Sequence, residues 1–486
     1  MAAIQLYNTL SRQLEALRPP TGEPLGMYTC GLTVYDYGHI GNFRTFIAVD
    51  VLQRFLLSEG YQLNAVLNLT DIDDKIIERA RTAGHGVGEH AAIYARAFEQ
   101  DMELLGLRQP EHLVRATAHI EAMVAWCDRL IATGHAYISQ GSVYFRVASF
   151  PAYGALSGKD AESLLAGARV ESGLEQKEDA RDFVLWKAHK PGEPSWPSPW
   201  GPGRPGWHIE CSVMAMHYLG ASFDLHAGGA DLVFPHHENE IAQAEAVTGE
   251  RFVRHWFHVE FLLVESEKMS KSLGNYYTVR DLIARGVKPS ALRYLLASVP
   301  PRRSLNFTHE GLEQSAAAVE RLTGFRGRLR RNGENQPPAG ADRAVEWVRT
   351  ARENFRAALA DNLNTAAALG AVFEMVRAGN AALDAGEMTA QATRAALDFL
   401  AYFDGIFGVL GDEDQARLAA YALGTGLELS APALDMAAIE ARLAERAAAR
   451  ARRDYSRSDE LRRELEQLGV VIEDVKGGEQ KWRVKK

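Results

Sequence analysis

The first seventy residues alternate between strand and helix patterns around a glycine turn. Residues 26–35 are apolar enough for a buried strand, and they lead into a turn at 37–41. Apolar residues then recur at helical spacing over 42–57, and a second strand is predicted at 62–69. A strand, a glycine turn, a helix and a second strand open a doubly wound nucleotide-binding sheet. This feature predicts an α/β fold of the Rossmann type.

The length of the chain calls for several domains. At 486 residues it exceeds what one hydrophobic core supports, and roughly three or four domains are expected. The strand and helix pattern breaks off after 115 and resumes near 206, whereas the chain after 310 is helical and rich in Ala, Arg and Leu. The predicted Rossmann domain has two halves, 1–115 and 206–250, separated by a connective insertion (116–205). It is followed by a region carrying a lysine-rich loop (251–310), a helical bundle (311–411) and a small mixed α/β domain (412–486).

Charge and cysteine usage exclude some classes of protein. The net charge of −9 does not point to a nucleic-acid binder, but local basic patches decide such binding. There is no run of about 18 apolar residues, and the N-terminus lacks the order of a signal peptide. Cys30, Cys127 and Cys211 lie far apart, which argues against a disulfide framework. We expect a cytoplasmic monomer with no membrane partner.

The turn between the first strand and the first helix carries His39-Ile40-Gly41-Asn42. Backbone N–H groups at a helix N-terminus favour anions, and Gly41 allows a phosphate or an adenine to approach closely. His39 can donate a hydrogen bond to a phosphate oxygen. Four residues alone are weak support, because a His-Gly turn is common in ordinary loops.

A second motif, Lys268-Met269-Ser270-Lys271-Ser272, precedes Leu273-Gly274-Asn275. Two lysines on a loop rich in Ser and Gly suit a mobile clamp on a triphosphate, where they stabilise charge in the transition state. A specified string of five residues arises by chance in a chain of this length only about once in several thousand trials. This motif therefore weighs more than the first.

Together the two motifs resemble the signature motifs of class I aminoacyl-tRNA synthetases. The resemblance implies a Rossmann-type, HUP-like catalytic domain that uses ATP with Mg²⁺ as substrate. It implies catalytic roles for His39, Asn42, Lys268 and Lys271, although many members have histidine at the position of Asn42. The residues that the resemblance assigns to ATP binding are His39, Gly41, Gly228, Gly229, Asp231, Lys268 and Lys271.

Four further residues, Cys30, Cys211, His236 and Glu240, could form a zinc site. Two thiolates, an imidazole and a carboxylate are credible zinc ligands, and His236 and Glu240 are four residues apart on one predicted helix face. By spacing alone, scattered cysteines are more often core residues. Within the class I resemblance, all four match the zinc ligands of cysteinyl-tRNA synthetases.

The resemblance to that family implies one Zn²⁺ per chain and L-cysteine as the amino acid. Zinc prefers a soft thiolate, so coordination of the substrate sulfur would reject serine. Thr70 and Trp207 are implied to line the cysteine pocket. His226 and His237, which lie near the proposed ligands in sequence, are assigned to supporting them or to contacting ATP.

Near the C-terminus, an Arg-rich helix resembles the anticodon-reading helix of the same family. Tyr455 could stack on a splayed base of tRNA-Cys, and Arg450, Asp459 and Asp474 could bond base edges. The resemblance implies that 251–310 is the stem-contact region and that 412–486 is the anticodon-binding domain. A solvated helix of Arg and Glu would have the same composition.

Two alternative functions stay open. A ligase that couples activated cysteine to an amino sugar in mycothiol synthesis shares this catalytic domain but lacks the anticodon module. A non-catalytic tRNA-binding or regulatory protein derived from a synthetase is the other alternative, and the intact lysines of the second motif weigh against it. A persulfide-forming activity with pyridoxal phosphate is also left open, since Lys75 is present but Glu78 stands where a second lysine often follows.

Overall fold

The structure is a computed structural model of the whole chain. It describes residues 3–18, 22–159, 177–332, 343–411, 413–427, 436–452, 454–467, 470–474 and 480–484.

The strands of the described residues form five separate sheets. In chain order they are β1 (Gln5–Asn8), β2 (Gln13–Ala16), β3 (Leu25–Thr33), β4 (Leu63–Thr70), β5 (His112–Arg115), β6 (Ala136–Ser139), β7 (Ser142–Phe145), β8 (Phe183–Ala188), β9 (Gly203–Pro205), β10 (Phe223–Gly229), β11 (Val253–Val259), β12 (Leu262–Val264), β13 (Glu267–Lys268), β14 (Leu305–Phe307), β15 (Val470–Asp474) and β16 (Gln480–Val484).

The α-helices lie between these strands and, after β14, follow one another. They are α1 (Ile40–Ser58), α2 (Asp74–Ala83), α3 (Val87–Leu104), α4 (Ile120–Ala132), α5 (Trp207–Leu219), α6 (Glu238–Thr248), α7 (Val279–Ala284), α8 (Pro289–Ala297), α9 (His309–Asn332), α10 (Arg343–Ala360), α11 (Thr365–Asp384), α12 (Ala390–Phe407), α13 (Asp414–Thr425), α14 (Met436–Ala451) and α15 (Tyr455–Gln467).

The predicted Rossmann-type sheet is confirmed. Five parallel strands lie in the order β11-β10-β3-β4-β5, and the predicted opening is seen as β3, α1 and β4. The chain runs outward from β3 to β5 and returns to the other side of β3 as β10. Ligands of such sheets bind at the carboxyl ends of the strands where the order reverses, here between β3 and β10.

A close approach of two backbones shapes β3 at this place. A Cβ on Gly31 would lie 1.6 Å from the carbonyl oxygen of Asn68 on β4, so only glycine fits. The Gly31 N–H instead donates to the side chain of Asn68 over 2.9 Å, and the pairing of β3 with β4 shifts register here. Cys30, the residue before Gly31, therefore lies at an irregularity of the central strand.

The insertion between β5 and β10 carries its own antiparallel sheet. Its strands lie in the order β6-β7-β8-β9. Their apolar side chains share one core with α4, α5 and β3, in which Phe183, Leu185 and Ile209 are buried beside Cys30 and Cys211. The insertion therefore packs directly against the strand and helix that supply both cysteines.

The described chain divides into two compact units. The first comprises residues 1–279 and 289–418, and the second comprises 280–288 and 419–486. Within the second unit, α14 and α15 form an antiparallel-type pair linked by ion pairs such as Arg442 with Glu464, and β15 pairs antiparallel with β16. The domain bounds predicted from the sequence stay predictions. Among the described helices, none combines the length and apolar character needed to cross a membrane.

Candidate active site

The four residues predicted to bind zinc come together in the structure. The Sγ atoms of Cys30 and Cys211 are 3.7 Å apart, and Cys30 Sγ is 3.6 Å from Glu240 Oε1. His236 Nε2 lies 3.0 Å from the same carboxylate oxygen. All four side chains are buried, and their ligand atoms all lie within 4.8 Å of one another.

These distances suit a tetrahedral metal ion. With Zn–S bonds of about 2.3 Å and Zn–N or Zn–O bonds of about 2.0–2.1 Å, ligand atoms at tetrahedral corners are roughly 3.3–3.8 Å apart. The two sulfur distances fall in that range, and His236 and Glu240 are slightly closer, at hydrogen-bonding distance. The set of donors, two of them soft sulfurs, fits zinc.

The four candidate ligands come from separate elements of the fold. Cys30 lies near the carboxyl end of β3, and Cys211 lies in the second turn of α5. The structure places His236 in a wide π-type turn over Val233–His237, and α6 begins only at Glu238. The extended backbone of Phe234 (φ −140°, ψ 132°) lies before His236, and the turn runs directly into α6, so His236 and Glu240 are one helical turn apart, as predicted. His236 and Glu240 still face each other.

Burial and mutual contact shift the pKa values of this group. Burial lowers the pKa of His236, but Cys211 and Glu240 outweigh it and raise that pKa to about 10. Burial raises the pKa of Cys211, yet hydrogen bonding to Cys30 and the contact with His236 bring it down to about 6. Burial raises the pKa of the Cys30 thiol. A metal ion must therefore displace the protons of His236 and Cys30 when it binds.

A second possible grouping shares Cys30 and Glu240 and takes His226 and His237 as its other two members. His226 Nε2 is 2.8 Å from Glu240 Oε2, and His237 Nε2 is 3.4 Å from Cys30 Sγ. His237 Nδ1 is in turn 2.7 Å from His258 Nε2, and the Nδ1 atom of His258 is 2.7 Å from the hydroxyl of Thr9. Burial holds the pKa of His258 at about 3, so this ring is neutral.

Of the two residues predicted to line the cysteine pocket, one contacts a candidate ligand and the other contacts the residue next to one. Trp207 stacks on the ring of His236, with centroids 4.3 Å apart and planes inclined by 25°. Thr70, at the end of β4, donates its hydroxyl over 2.9 Å to Glu210, whose carboxyl group is fully buried. Burial raises the pKa of Glu210, and the neighbouring Cys211 raises it further.

The His39 turn closes the N-terminus of α1 with a reciprocal pair of hydrogen bonds. His39 Nδ1 accepts from the backbone N–H of Asn42 over 3.1 Å, and Asn42 Oδ1 accepts from the backbone N–H of His39 over 3.0 Å. Burial lowers the pKa of His39 to about 4, and the charge of Lys271 adds to the effect. The ring is therefore neutral near pH 7, with its proton on Nε2, because Nδ1 is an acceptor.

The lysine loop lies against this turn. Lys271 Nζ is 2.5 Å from Asp36 Oδ2, and a Cβ placed on Gly41 would lie 3.2 Å from Met269 Cε and 2.9 Å from His39 Nδ1. The structure thus brings His39, Gly41 and Lys271 together. Lys268 ends β13, which pairs with β12.

The end of β10, which lies next to β3 where the strand order reverses, carries Gly228 and Gly229, and Asp231 follows two residues later. A Cβ on Gly228 would lie 2.7 Å from His237 Cε1, and one on Gly229 would lie 2.3 Å from Asp231 Oδ1. A side chain at Gly228 would press on the buried ring of His237, whereas one at Gly229 would require only the exposed carboxylate of Asp231 to move.

The residues predicted to read the anticodon lie in the second unit. Arg450 is in the last turn of α14, whereas Tyr455 and Asp459 are exposed on the first turns of α15. Tyr455 is 62% exposed. Asp474 ends β15, but its side chain lies outside the described residues.

Several residues of the site were missed by the sequence analysis. Glu210 lies between Trp207 and Cys211, and its place one residue before a candidate ligand was a signal that could have found it. Asp36 precedes the His39 turn by three residues. His258 had no local signal, because its contact with His237 depends on the parallel pairing that puts His258 opposite Gly228.

Models of three protein families match the chain. The model described as tRNA synthetases class I (C) catalytic domain matches residues 17–317. The DALR domain matches 354–411, and the cysteinyl-tRNA ligase anticodon binding domain matches 432–483.

Relatives match over nearly the whole chain. The chain is 51% identical to the cysteine–tRNA ligase of Solibacter usitatus (strain Ellin6076), covering 99% of this chain and 100% of the relative. It is 45% identical to the cysteine–tRNA ligase of Pseudomonas aeruginosa (strain LESB58), with 99% of each covered.

Solved structures agree on the fold. A methionyl-tRNA synthetase of Mycobacterium tuberculosis bound by methionyl-adenylate superposes with a TM-score of 0.60 at 17% identity, covering 82% of this chain and 94% of that one. The LeuRS of Agrobacterium radiobacter K84 gives 0.59 at 12% identity, covering 82% and 85%. At these identities the likeness speaks for the fold alone. With the family models and the full-length relatives, it shows that this chain belongs to the cysteine–tRNA ligases, a family of class I aminoacyl-tRNA synthetases.

Proposed function

We propose that this chain activates L-cysteine with ATP to cysteinyl-adenylate and transfers the cysteinyl group to the 3′-terminal adenosine of tRNA-Cys. The observation that carries the proposal is the buried grouping of Cys30, Cys211, His236 and Glu240 beside Trp207. Family membership supports the reaction class, and this grouping supports cysteine as the amino acid.

The four buried residues would hold one Zn²⁺. When bound, zinc supplies an electrophile with a strong preference for sulfur over oxygen, which suits the thiolate of cysteine and disfavours the hydroxyl of serine. His226 would fix the second carboxylate oxygen of Glu240, which leaves Oε1 facing the sulfurs. The grouping with two sulfurs is preferred over the one with His226 and His237, because a second thiolate is the softer ligand.

Trp207 and Thr70 would bound the cysteine pocket. Stacking on His236 holds the indole of Trp207 next to a ligand, where it limits the size of the side chain that fits. The hydroxyl of Thr70 donates to Glu210, so its lone pairs are left to accept from the ammonium group of the amino acid.

Catalysis of adenylate formation would rest on positioning and on charge. The carboxylate of cysteine attacks the α-phosphorus of ATP·Mg²⁺, and pyrophosphate leaves. His39 would donate from Nε2 to a phosphate oxygen, while Lys268 and Lys271 stabilise the charge on the leaving pyrophosphate. Asn42 holds His39 through the backbone and keeps its own amide nitrogen as a donor. No general base is needed, since the attacking carboxylate is already ionised.

In the second step the terminal adenosine hydroxyl of tRNA-Cys attacks the carbonyl carbon of the adenylate, and AMP leaves. Gly41, Gly228, Gly229 and Asp231 would hold the adenosine of ATP and of the adenylate at the ends of β3 and β10. Arg450, Tyr455, Asp459 and Asp474 would contact the anticodon.

The experiment is ATP-dependent attachment of labelled cysteine to purified tRNA-Cys, with serine as competitor. We expect charging with cysteine, and discrimination against serine on the order of 10⁴, which a site built around a required ligand can reach. Charging with both amino acids at similar rates would exclude selection by sulfur. If cysteine drives the exchange of pyrophosphate into ATP but is not transferred to tRNA, the result would favour the amino-sugar ligase function. Absence of both activities would leave the non-catalytic tRNA-binding alternative.

A further inference from the structure

The lysine loop is tied to the His39 turn by a charged contact. Lys271, whose side chain is 52% exposed, lies 2.5 Å from Asp36 Oδ2, and the Asp36 side chain is 21% exposed. The two residues come from distant parts of the chain, since Asp36 follows β3 and Lys271 follows β13. This ion pair joins the lysine loop to the segment just before the His39 turn.

Further contacts hold the same loop at the same place. The Lys271 ammonium lies 4.9 Å from the centroid of the Tyr276 ring, and the Tyr276 ring meets the edge of His39 with centroids 5.4 Å apart. Behind them, the backbone N–H of Ile40 donates to the carbonyl of Tyr277 over 3.0 Å. The backbone after the loop is thus anchored independently of the ion pair, so Asp36 acts on the loop through Lys271.

The other carboxylate oxygen of Asp36 is used locally. Asp36 Oδ1 accepts from the backbone N–H of Tyr37 over 2.9 Å. The side chain is therefore oriented by its own turn, with Oδ2 presented to Lys271. An asparagine at this position can keep the bond to Tyr37 while it loses the charge.

We propose that Asp36 is a positioning residue: in the ATP-free enzyme it holds Lys271 over the His39 turn and competes with the triphosphate for it. Asp36 and the phosphates would draw on the same positive charge and the same three N–H donors of Lys271. Binding of ATP would therefore weaken or break the pair with Asp36. This inference rests on the proposed function to the extent that Lys271 binds the triphosphate.

The competition has a measurable consequence for ATP binding. Any contact that stabilises the ATP-free state and is lost on binding weakens the observed affinity by its own free energy. Ion pairs exposed to this degree are weak, so removing the Asp36 charge is expected to lower the Kd for ATP only about two- to five-fold. Without the Asp36 charge, the backbone amides of the lysine loop should be less protected from hydrogen exchange in the absence of ATP. In the presence of ATP their protection should be unchanged.

The test compares the full chain with Asp36→Asn, Lys271→Ala and the double variant. ATP affinity is measured by calorimetry, and backbone hydrogen exchange is followed over residues 268–275 with and without a non-hydrolysable ATP analogue. We expect Asp36→Asn to bind ATP more tightly and to exchange faster in the loop only without the analogue. In the Lys271→Ala background, Asp36→Asn should have no further effect on ATP affinity.

Asp384→Asn is the matched control, because Asp384 forms an exposed ion pair with Arg328 on the helical bundle. It should change neither readout. Unchanged or weaker ATP binding by Asp36→Asn, or an effect that persists without Lys271, would overturn the inference. Neither readout needs cysteine or tRNA, whereas the proposed function is tested by charging of the unaltered chain, so the two can fail separately.

Discussion

At the scale of single residues, one set of hydrogen bonds in the His39 turn both caps α1 and fixes the tautomer of the His39 ring. The Nδ1 atom of His39 caps α1 through the N–H of Asn42, and the Asn42 amide oxygen caps the same helix end from the other side. The cap fixes the tautomer of the ring, so Nε2 becomes the donor toward a phosphate. Asn42 thus has a structural role that a short amide side chain performs well.

The protonation state of His39 gives the first prediction. Its pKa is lowered from 6.5 to about 4 by burial, so the ring should stay neutral from pH 8 down to about pH 5. The folded-state pKa is below the unfolded one, so the stability that depends on the neutral ring is present above pH 6.5 and is lost as the pH falls toward 4. An NMR titration of ¹³Cε1-labelled histidine, assigned with His39→Gln, should show no inflection for this ring above pH 5. An inflection near 6.5 would mean that the ring is solvated.

The second prediction concerns Cys211. Replacing this sulfur by a hard oxygen in Cys211→Ser should weaken the proposed metal site and with it the binding of cysteine. Loss of supporting partners alone costs metal sites about 10–100-fold, so we expect cysteine affinity to fall by at least about 10²-fold while the Kd for ATP changes less than about three-fold.

Cysteine and ATP affinities should be measured separately by equilibrium binding, with the zinc content of each preparation determined by mass spectrometry. Cys127→Ser is the control, because Cys127 is equally buried but lies on α4, outside the four-residue grouping. Equal losses for cysteine and ATP would show a purely structural role for Cys211.

At the scale of elements, one buried arginine joins four helices of the first unit. The guanidinium of Arg293 on α8 bonds the carboxylate of Asp50 on α1, the carbonyl of Phe407 at the end of α12, and the carbonyl of Leu105 after α3. Its side chain is 1% exposed. The bonds fix α1, the helix that begins at the His39 turn, against α3, α8 and α12.

Removing this guanidinium gives the third prediction. Arg293→Met should cost about 3–5 kcal/mol, because it leaves the buried Asp50 carboxylate with only Arg54 as a charged partner and two carbonyls without donors. Arg328→Met, which breaks the exposed pair with Asp384, should cost less than about 1 kcal/mol. Urea unfolding followed by circular dichroism measures both. Similar midpoints for the two variants would contradict the role given to Arg293.

At the scale of the whole molecule, the proposed chemistry and the proposed anticodon contacts belong to different compact units. The metal grouping, the His39 turn and the lysine loop lie in the first unit, whereas Arg450, Tyr455 and Asp459 lie in the second. Adenylate formation and tRNA recognition should therefore be separable by substitution.

Tyr455 provides the fourth prediction. Loss of one stacked base costs about 1–3 kcal/mol, so Tyr455→Ala should raise the KM for tRNA-Cys roughly 5- to 150-fold. Cysteine-dependent pyrophosphate exchange should stay within about two-fold of the unaltered chain. Leu423→Ala, which removes another exposed side chain of the same unit, is the control and should change neither rate. Parallel losses in charging and exchange would contradict a separate anticodon role.

The sequence by itself determined the elements and the motifs, because these depend on local spacing. Apolar periodicity placed β3, α1 and β4 to within about two residues. The turn and loop motifs, together with the family resemblance, were enough to nominate His39, Lys271 and the four candidate ligands. Their roles stay predictions that the experiments above address.

Only the tertiary structure decided which of these residues meet, because contacts between distant segments follow from strand order and helix packing. The return of the chain to β10 beside β3 brings Cys30 to His237 and Glu240, and the pairing of β10 with β11 brings His258 to His237. The ion pair of Asp36 with Lys271 joins positions far apart in sequence for the same reason. Local patterns carry no information on such pairings, since the hydrogen bonds and burial that fix them exist only after the sheet has assembled.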